Sequence, residues 1–399
     1  MAFTAFKHKN YRYFFIGIIF SNIGTWTNRI AQDWLTLDLT GSAKSLGLIV
    51  AAQFFPGIIF AAYAGVIADR YNQKPILLWC NFAGILIATT TGILIFNNFL
   101  TFEILFFSSL LLGIVSAIDG PVRQSYYVIL VGDQDLPNAL GWNQVNLNCG
   151  RLIGPLLAGL LIEFFGLSPA FFLNAFTFFL LLVGLIAIRV ENYFMLGSLD
   201  QRNRKVTFFD SIRFLKSNPK ALIPIGLVSI SAMVGQDMQI TSALMAWKVF
   251  EVNATLFGLL GSIFASGAVL GSLLITRSKV VFDLKFLSRQ SFYLTGVWFL
   301  IAIAPNYMTY AMTLFIAGYI VVWINFSTNI AIRLYVDPKY YGRVWGIYIA
   351  FYLSALAISG PMLGWISETF STRGAILFGA IAMLFSSLTV RNRIKTVVT

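Results

Sequence analysis

The stretch GRLIGPLLAGLLIEFFG, residues 150–166, is almost wholly apolar, yet it carries a Gly-Pro pair in its middle. A proline inside a helix removes a backbone hydrogen bond and clashes with the preceding turn, which costs about 3 kcal/mol in water. Membrane helices tolerate proline because neighbouring groups satisfy the freed carbonyl. Gly150 and Gly154 form a G-x-x-x-G face that lets another helix approach closely. We expect Pro155 to bend the helix above that face; the alternative is tight packing without motion.

The composition indicates a membrane protein. Of 399 residues, 58% are hydrophobic and only 11% are charged, whereas about a quarter of a soluble domain is charged. Apolar runs long enough to cross a bilayer recur along the whole chain. They predict an all-α polytopic protein with twelve transmembrane helices, near 13–36, 46–68, 75–96, 101–119, 138–165, 168–189, 221–247, 255–276, 284–305, 309–332, 343–366 and 373–390.

The net charge of +12 is distributed asymmetrically. If the spans alternate in direction, 23 of the 28 Lys and Arg residues fall on one side of the membrane. The other side holds Lys44, Lys248 and Arg373, and two arginines lie within spans. By the positive-inside rule both termini are cytoplasmic, in a cell membrane that we expect to be a bacterial inner membrane. The charge therefore reflects topology, and we expect no nucleic-acid partner.

No enzyme motif is present in the chain. The sequence lacks a Walker A motif, a zinc-ligand spacing and a nucleophile elbow. The one histidine, His8, lies in the N-terminal tail, and Cys80 and Cys149 both fall in spans. We expect no enzymatic activity, no catalytic residue, no cofactor and no metal.

The Gly-Pro stretch has a second copy. GPLLAGLLIEFFG (154–166) aligns with GPMLGWISETFS (360–371), so that Gly154-Pro155 meets Gly360-Pro361 about half the chain away. Such a repeat predicts two six-helix halves, residues 1–189 and 221–399, around a central cavity. The basic linker 190–220 contains FFDSIRFLKS (208–217), which predicts a short helix on the inner membrane surface. The alternative is an irregular tether.

Polar residues inside the spans are the candidates for a functional site, because buried ionisable groups in membranes usually face a cavity or a partner. Arg29 and Asp33 in span 1 and Asp237 in span 7 are candidate proton or substrate groups. Arg29 and Asp33 can also form a structural ion pair. Further candidates for the cavity wall are Asn22, Gln32, Asn148, Gln236, Asn325 and Asn329, although asparagines also hold membrane helices together. Glu163 and Glu368 lie near the outer interface, where we expect a structural role.

The loop GVIADRYNQK (65–74) resembles the signature loop of the major facilitator superfamily. Gly65, Asp69, Arg70 and Lys74 match it, whereas Asn72 and Gln73 replace a glycine and an arginine. We expect Asn72 to keep the turn by adopting a left-handed conformation. The residues Gly150, Arg151, Gly154, Pro155 and Gly159 resemble the span 5 motif of the proton-antiport branch of that superfamily.

Three further stretches, at 24–42, at 119–140 and at the start of span 5, resemble the drug:proton antiporter-3 branch, which includes macrolide and siderophore exporters. The resemblance implies proton-coupled export of an amphipathic small molecule by a monomer, with Asp69, Arg70 and Arg123 closing the cytoplasmic side. Sodium coupling, nutrient uptake and lysophospholipid flipping are the open alternatives.

Overall fold

The computed structural model describes residues 3–189, 208–234, 238–277, 283–337 and 340–398. Apart from a 3₁₀ turn at Ala5–Lys7 and a π-helical turn at Met245–Val249, the regular structure of these residues is α-helical. The helices are α1 (Lys9–Thr40), α2 (Ala43–Arg70), α3 (Gln73–Phe96), α4 (Phe102–Phe165), α5 (Ser168–Ala187), α6 (Phe208–Ser217), α7 (Pro219–Met233), α8 (Gln239–Leu244), α9 (Ala254–Arg277), α10 (Leu284–Ile303), α11 (Tyr307–Tyr335), α12 (Tyr341–Thr369) and α13 (Thr372–Val398).

Helix α4 accounts for two predicted spans. It has 64 residues, about 96 Å at 1.5 Å per residue, whereas one crossing of the apolar core needs about 30 Å. Its helical geometry is interrupted at Gly132, where φ is 68° and ψ is 172°. The residues between the predicted spans 101–119 and 138–165 are thus helical on both sides of Gly132, and this one glycine absorbs the change of direction.

Nine helices in the described part of the chain are long and apolar enough to cross a membrane, and α4 is one of them. Helix α1 is not among these nine. It is long enough, at 32 residues, but it carries the polar side chains of span 1. The seventh span is not the continuous helix that we predicted over 221–247. Helix α7 ends at Met233, and Met238 before α8 has a φ of 55°, which a right-handed helix cannot contain.

The chain divides into two compact units. One comprises Met1–Gly197 and Val252–Ser262, and the other comprises Ser198–Glu251 and Ile263–Thr399. The beginning of α9 thus belongs with the N-terminal helices α1–α5. Residues 190–207 of the predicted linker lie outside the described residues, and the boundaries that we predicted for the two halves stay a prediction.

Helix α6 confirms the helix predicted at 208–217. Leu215 is buried, and the ring of Phe214 stacks on that of Tyr340 with 4.5 Å between centroids. The helix therefore packs against its own unit, and its location on the membrane surface stays a prediction.

Small residues hold α1 against its neighbours in the first unit. A Cβ built on Gly17 would lie 2.8 Å from Leu181 Cδ1 of α5, and one built on Gly24 would meet the Thr177 side chain. Such close approaches leave no room for a larger residue at Gly17 or Gly24, and they fix the distance between α1 and α5. The polar side chains of α1 are consequently held in defined positions.

Candidate functional site

Three polar side chains of α1 are sealed inside the first unit. Asn28, Gln32 and Asp33 expose 2%, 1% and 0% of their surfaces. The Gln53 amide of α2 donates a 3.0 Å hydrogen bond to the Gln32 side-chain oxygen. Because unpaired polar groups are costly in a membrane interior, this cluster is a candidate for function as well as for helix association. Of its members, Gln32 and Asp33 were among the candidates that we named from the sequence, and Asn28 was not.

A cavity of about 20 Å³ lies in this cluster, lined by Asn28, Arg29, Gln32, Gln53 and Asn174 among others. Within the described residues, Asn28 Oδ1, Gln32 Nε2 and Asn174 Oδ1 are buried without a hydrogen-bond partner. A cavity of this size holds about one water molecule. One water between these amides would satisfy atoms that the helices leave unpaired.

Arg29 and Arg151 approach the same aromatic ring. The Arg29 guanidinium carbon lies 5.3 Å from the centroid of Trp26 and 5.0 Å from that of Phe54. The Arg151 guanidinium carbon lies 5.2 Å from the Trp26 centroid. Two predicted residues on helices far apart in sequence thus meet at Trp26, which we did not single out. The ion pair of Arg29 with Asp33 stays a prediction.

Gly150 and Gly154 of α4 form the close contact with α1. A Cβ on Gly150 would lie 3.0 Å from the Asn22 carbonyl oxygen, and one on Gly154 would lie 2.5 Å from Trp26 Cβ. The Thr27 hydroxyl donates to the Gly154 carbonyl at 3.2 Å. The G-x-x-x-G face therefore does bring two helices together, and its partner is span 1.

Pro155 and Gly159 face a different helix, the beginning of α9. A Cβ on Gly159 would lie 2.5 Å from the Ala254 carbonyl oxygen, and one on Gly258 would meet the Pro155 carbonyl. The Pro155 ring lies against Gly261, where a Cβ would come within 2.8 Å. The motif of span 5 therefore contacts two helices: Gly150 and Gly154 pack on α1, and Pro155 and Gly159 pack on α9. We call the second contact the α4–α9 seam.

Ser262 completes the seam. Its hydroxyl donates to the Leu152 carbonyl at 2.6 Å and accepts from the Leu156 amide at 3.2 Å. In a regular helix the amide of Leu156 pairs with the carbonyl of Leu152 directly. The serine hydroxyl thus bridges two backbone groups beside the proline, a known way of accommodating proline in membrane helices.

The connection between α2 and α3, within the predicted signature loop, is only two residues long. Helix α2 ends at Arg70, and α3 begins at Gln73 with Asn72 as its N-cap, whose side chain accepts from the Lys74 amide. Asn72 has a φ of −64°, so our expectation of a left-handed turn there was wrong. The Lys74 ammonium donates to the Ile188 carbonyl at 2.7 Å. Gly65 lies within α2, and the side chain of Asp69 lies outside the described residues.

Arg123, the third member of the predicted cytoplasmic closure, forms an ion pair with Asp119 one turn earlier on α4. Both side chains are 14% exposed. Asp119 was missed from the sequence, although an acid four residues before an arginine is the signal for such a pair. A role of Asp69, Arg70 and Arg123 in closing one side of the protein stays a prediction.

The remaining candidates are spread over both units. The Asn22 amide donates to Asn146 Oδ1 at 3.0 Å, and Asn148 is half-buried on α4. Asn325 and Asn329 are half-buried on α11 in the second unit. Gln236 and Asp237 lie outside the described residues. At the predicted outer end, Lys248 pairs with Glu368 at 3.4 Å, and Glu163 is exposed.

A contact that the sequence did not reveal holds the N-terminal turn to α4. His8 Nε2 lies 2.9 Å from an Asp135 carboxylate oxygen, and the Ala5 amide donates to Asn138 Oδ1 at 3.0 Å. Hydrogen bonds from Thr4 and then His8 hold the pKa of the Asp135 carboxyl below its usual value. The carboxyl lies between the two predicted spans of α4, so the contact joins the N-terminus to the start of span 5.

The comparison with known families agrees with this architecture. The transmembrane secretion effector family of the major facilitator superfamily matches residues 1–397. The chain belongs to that family. It is a multi-pass membrane transporter with the twelve-helix fold of the superfamily.

Two relatives and one solved structure illustrate the similarity. The staphyloferrin A transporter of Staphylococcus aureus is 20% identical over 84% of both chains. Multidrug resistance protein 1 of Bacillus subtilis is 29% identical over 38% of both chains. The crystal structure of the nucleoside transporter NupG superimposes with a TM-score of 0.77 at 14% identity, covering 97% of this chain and 99% of that one. The structural likeness concerns the fold alone.

Proposed function

We propose that this transporter is a proton-coupled exporter of amphipathic small molecules, working as a monomer by alternating access in a bacterial plasma membrane. The observation that carries the proposal is the α4–α9 seam in the predicted outer halves of spans 5 and 8. There Pro155 and Gly159 lie against Gly258, and the Ser262 hydroxyl donates to the Leu152 carbonyl. The names of the multidrug resistance relatives support the direction of transport.

The seam suits a contact that opens and closes. Its surfaces are backbone groups, small side chains and the rigid ring of Pro155, so α4 and α9 can separate there with little rearrangement of side chains. The bridging hydroxyl of Ser262 is easily replaced, because Leu156 and Leu152 can pair with each other as in any helix. Breaking the seam therefore leaves few buried groups unsatisfied. Alternating access needs such a two-state contact on each side of the membrane.

Asp33 is our candidate proton carrier. It is fully buried and one residue from Gln32 in the amide cluster of α1. An ionised carboxylate in a membrane interior is costly, so its charge state is coupled to the conformation around it. Protonation that favours one state of a two-state transporter converts a proton gradient into a directed cycle.

The test uses purified protein in proteoliposomes, with a panel of macrolides, cationic dyes, siderophores and lysolipids. We expect at least one compound to drive proton movement opposite to its own in sodium-free buffer. Asp33→Asn should abolish the proton movement, whereas Asp38→Asn, an exposed acid on the same helix, should leave it unchanged. Proton movement in the same direction as the substrate would indicate uptake and refute export. Undiminished coupling in Asp33→Asn would exclude Asp33 as the carrier.

A further inference from the structure

Arg151 is an exposed cation deep inside a span. It lies 14 residues before the end of α4 at Phe165, about 21 Å from that end at 1.5 Å per residue. This depth is more than half of a hydrocarbon core of about 30 Å. More than a third of its surface is nevertheless exposed. An arginine in contact with lipid at that depth is strongly disfavoured, so the space beside Arg151 has to be polar or water-filled.

The same face of α4 is polar over the two turns that lead to Arg151. Gln144, Asn148 and Arg151 follow one another at spacings of four and three residues, which places them on one side of the helix. Pro155, four residues further, is in the α4–α9 seam. The polar stripe therefore leads up to the seam and ends there, as expected of the wall of a substrate path that the seam closes.

No carboxylate neutralises Arg151 within the described part of the chain. Arg151 packs on the ring of Trp26, while Asp119 pairs with Arg123 and Asp135 with His8. A cation–π contact is worth about 0.5–2 kcal/mol and holds the guanidinium in place without cancelling its charge. The donors of Arg151 thus remain available to a bound molecule.

The ring of Trp26 contacts a second guanidinium group, that of Arg29, as well as that of Arg151. The Arg29 and Arg151 guanidinium carbons lie 5.3 Å and 5.2 Å from its ring centroid. The indole cannot easily move away, because Gly150 and Gly154 pack directly against it. The charge of Arg151 creates a positive potential beside this ring, which a bound anion would relieve.

We propose that Arg151, positioned by Trp26, binds the anionic head group of the substrate, a carboxylate or a phosphate on an apolar body. The inference rests on the proposed function and narrows its substrate class from amphipathic molecules in general to amphipathic anions. Guanidinium groups match both head groups through paired hydrogen bonds. The apolar body of the ligand would lie along the remainder of the path.

The test compares three probes that share one apolar fluorophore: dansylglycine, its uncharged amide and the cationic dansylcadaverine. Binding to the purified protein in phosphatidylcholine nanodiscs is measured by fluorescence titration. We expect dansylglycine to bind about tenfold more tightly than the amide, as for one charge-assisted contact. Arg151→Gln should remove this preference and leave the affinity for the amide unchanged, which also reports that the variant is folded. Arg151→Lys should keep part of the preference.

The matched control is Arg12→Gln. Arg12 is an exposed arginine near the start of α1, the helix that also carries Arg29, and its replacement should keep the full tenfold preference for dansylglycine over the amide. Adding phosphatidylglycerol to the nanodiscs distinguishes the sources of the anion, since competition in the wild type but not in Arg151→Gln would identify a lipid phosphate as an occupant. Equal binding of the three probes, or a preference that survives in Arg151→Gln, would overturn the anion site and leave export intact. If no probe and no panel compound binds or drives proton movement, both the anion site and the proposed export are overturned.

Discussion

Replacing Gly154 by alanine tests whether the G-x-x-x-G face sets the distance between α4 and α1. The added Cβ would lie 2.5 Å from Trp26 Cβ, 3.0 Å from the Thr27 amide nitrogen and 3.1 Å from the Ile23 carbonyl oxygen. The last two are backbone atoms, so a change of side-chain rotamer cannot relieve the contact. The two helices would have to move apart, and the hydrogen bond from Thr27 to the Gly154 carbonyl at 3.2 Å would lengthen.

The size of the effect follows from three contributions. Overpacking a close contact costs about 1–3 kcal/mol, and a weakened buried hydrogen bond adds about 1 kcal/mol. Alanine is a better helix former than glycine by about 1 kcal/mol. Gly141→Ala on the same helix supplies that last contribution alone, because nothing lies within 4 Å of its added Cβ. We therefore expect the free energy of unfolding of Gly154→Ala to be about 2–4 kcal/mol below that of Gly141→Ala.

The measurement is reversible unfolding of the two variants and the wild type in mixed micelles, titrated with sodium dodecyl sulfate and followed by tryptophan fluorescence. Comparing the variants with each other cancels the difference in helix propensity. Equal stability of Gly154→Ala and Gly141→Ala would refute the reasoning, since it would mean that α1 and α4 are not held at the distance the structure gives.

Two further predictions concern charged contacts. Because the pKa of Asp135 is lowered in the folded protein, its contact with Thr4 and His8 contributes stability above about pH 4 and loses it as the pH falls through the lowered value. The protection of the N-terminal turn against hydrogen exchange, measured relative to the intrinsic exchange rate at each pH, should fall over that acid range in the wild type and already be low at pH 7 in Asp135→Asn; an unaltered turn in that variant would contradict the prediction. Arg123→Gln should destabilise the protein by about 3 kcal/mol, because it leaves Asp119 largely buried and unpaired. Adding Asp119→Asn should restore most of that loss in the same unfolding assay, and a double variant no more stable than the single one would show that the pair is not the cause.

Local sequence patterns predicted much of the architecture. Apolar length predicted the membrane class and the twelve crossings, because each crossing must satisfy its own backbone within the bilayer. It also predicted the helix at 208–217. Boundaries were less predictable: the two predicted spans of α4 are separated by a single non-helical residue, Gly132, and Met238 adopts a left-handed conformation that methionine does not signal.

By itself, the sequence determined that this chain is a membrane-embedded transporter with close helix contacts at the Gly-Pro stretch of span 5. It did not determine which helices make those contacts. Gly150 and Gly154 meet α1, whereas Pro155 and Gly159 meet α9, and one small-residue pattern is compatible with either partner. Likewise, Arg151 and Trp26 are separated by more than a hundred residues, and only the tertiary structure places them together. The physical reason is that a small residue, or a charge inside a span, limits the kind of group that can lie beside it, and the fold decides which residue supplies that group.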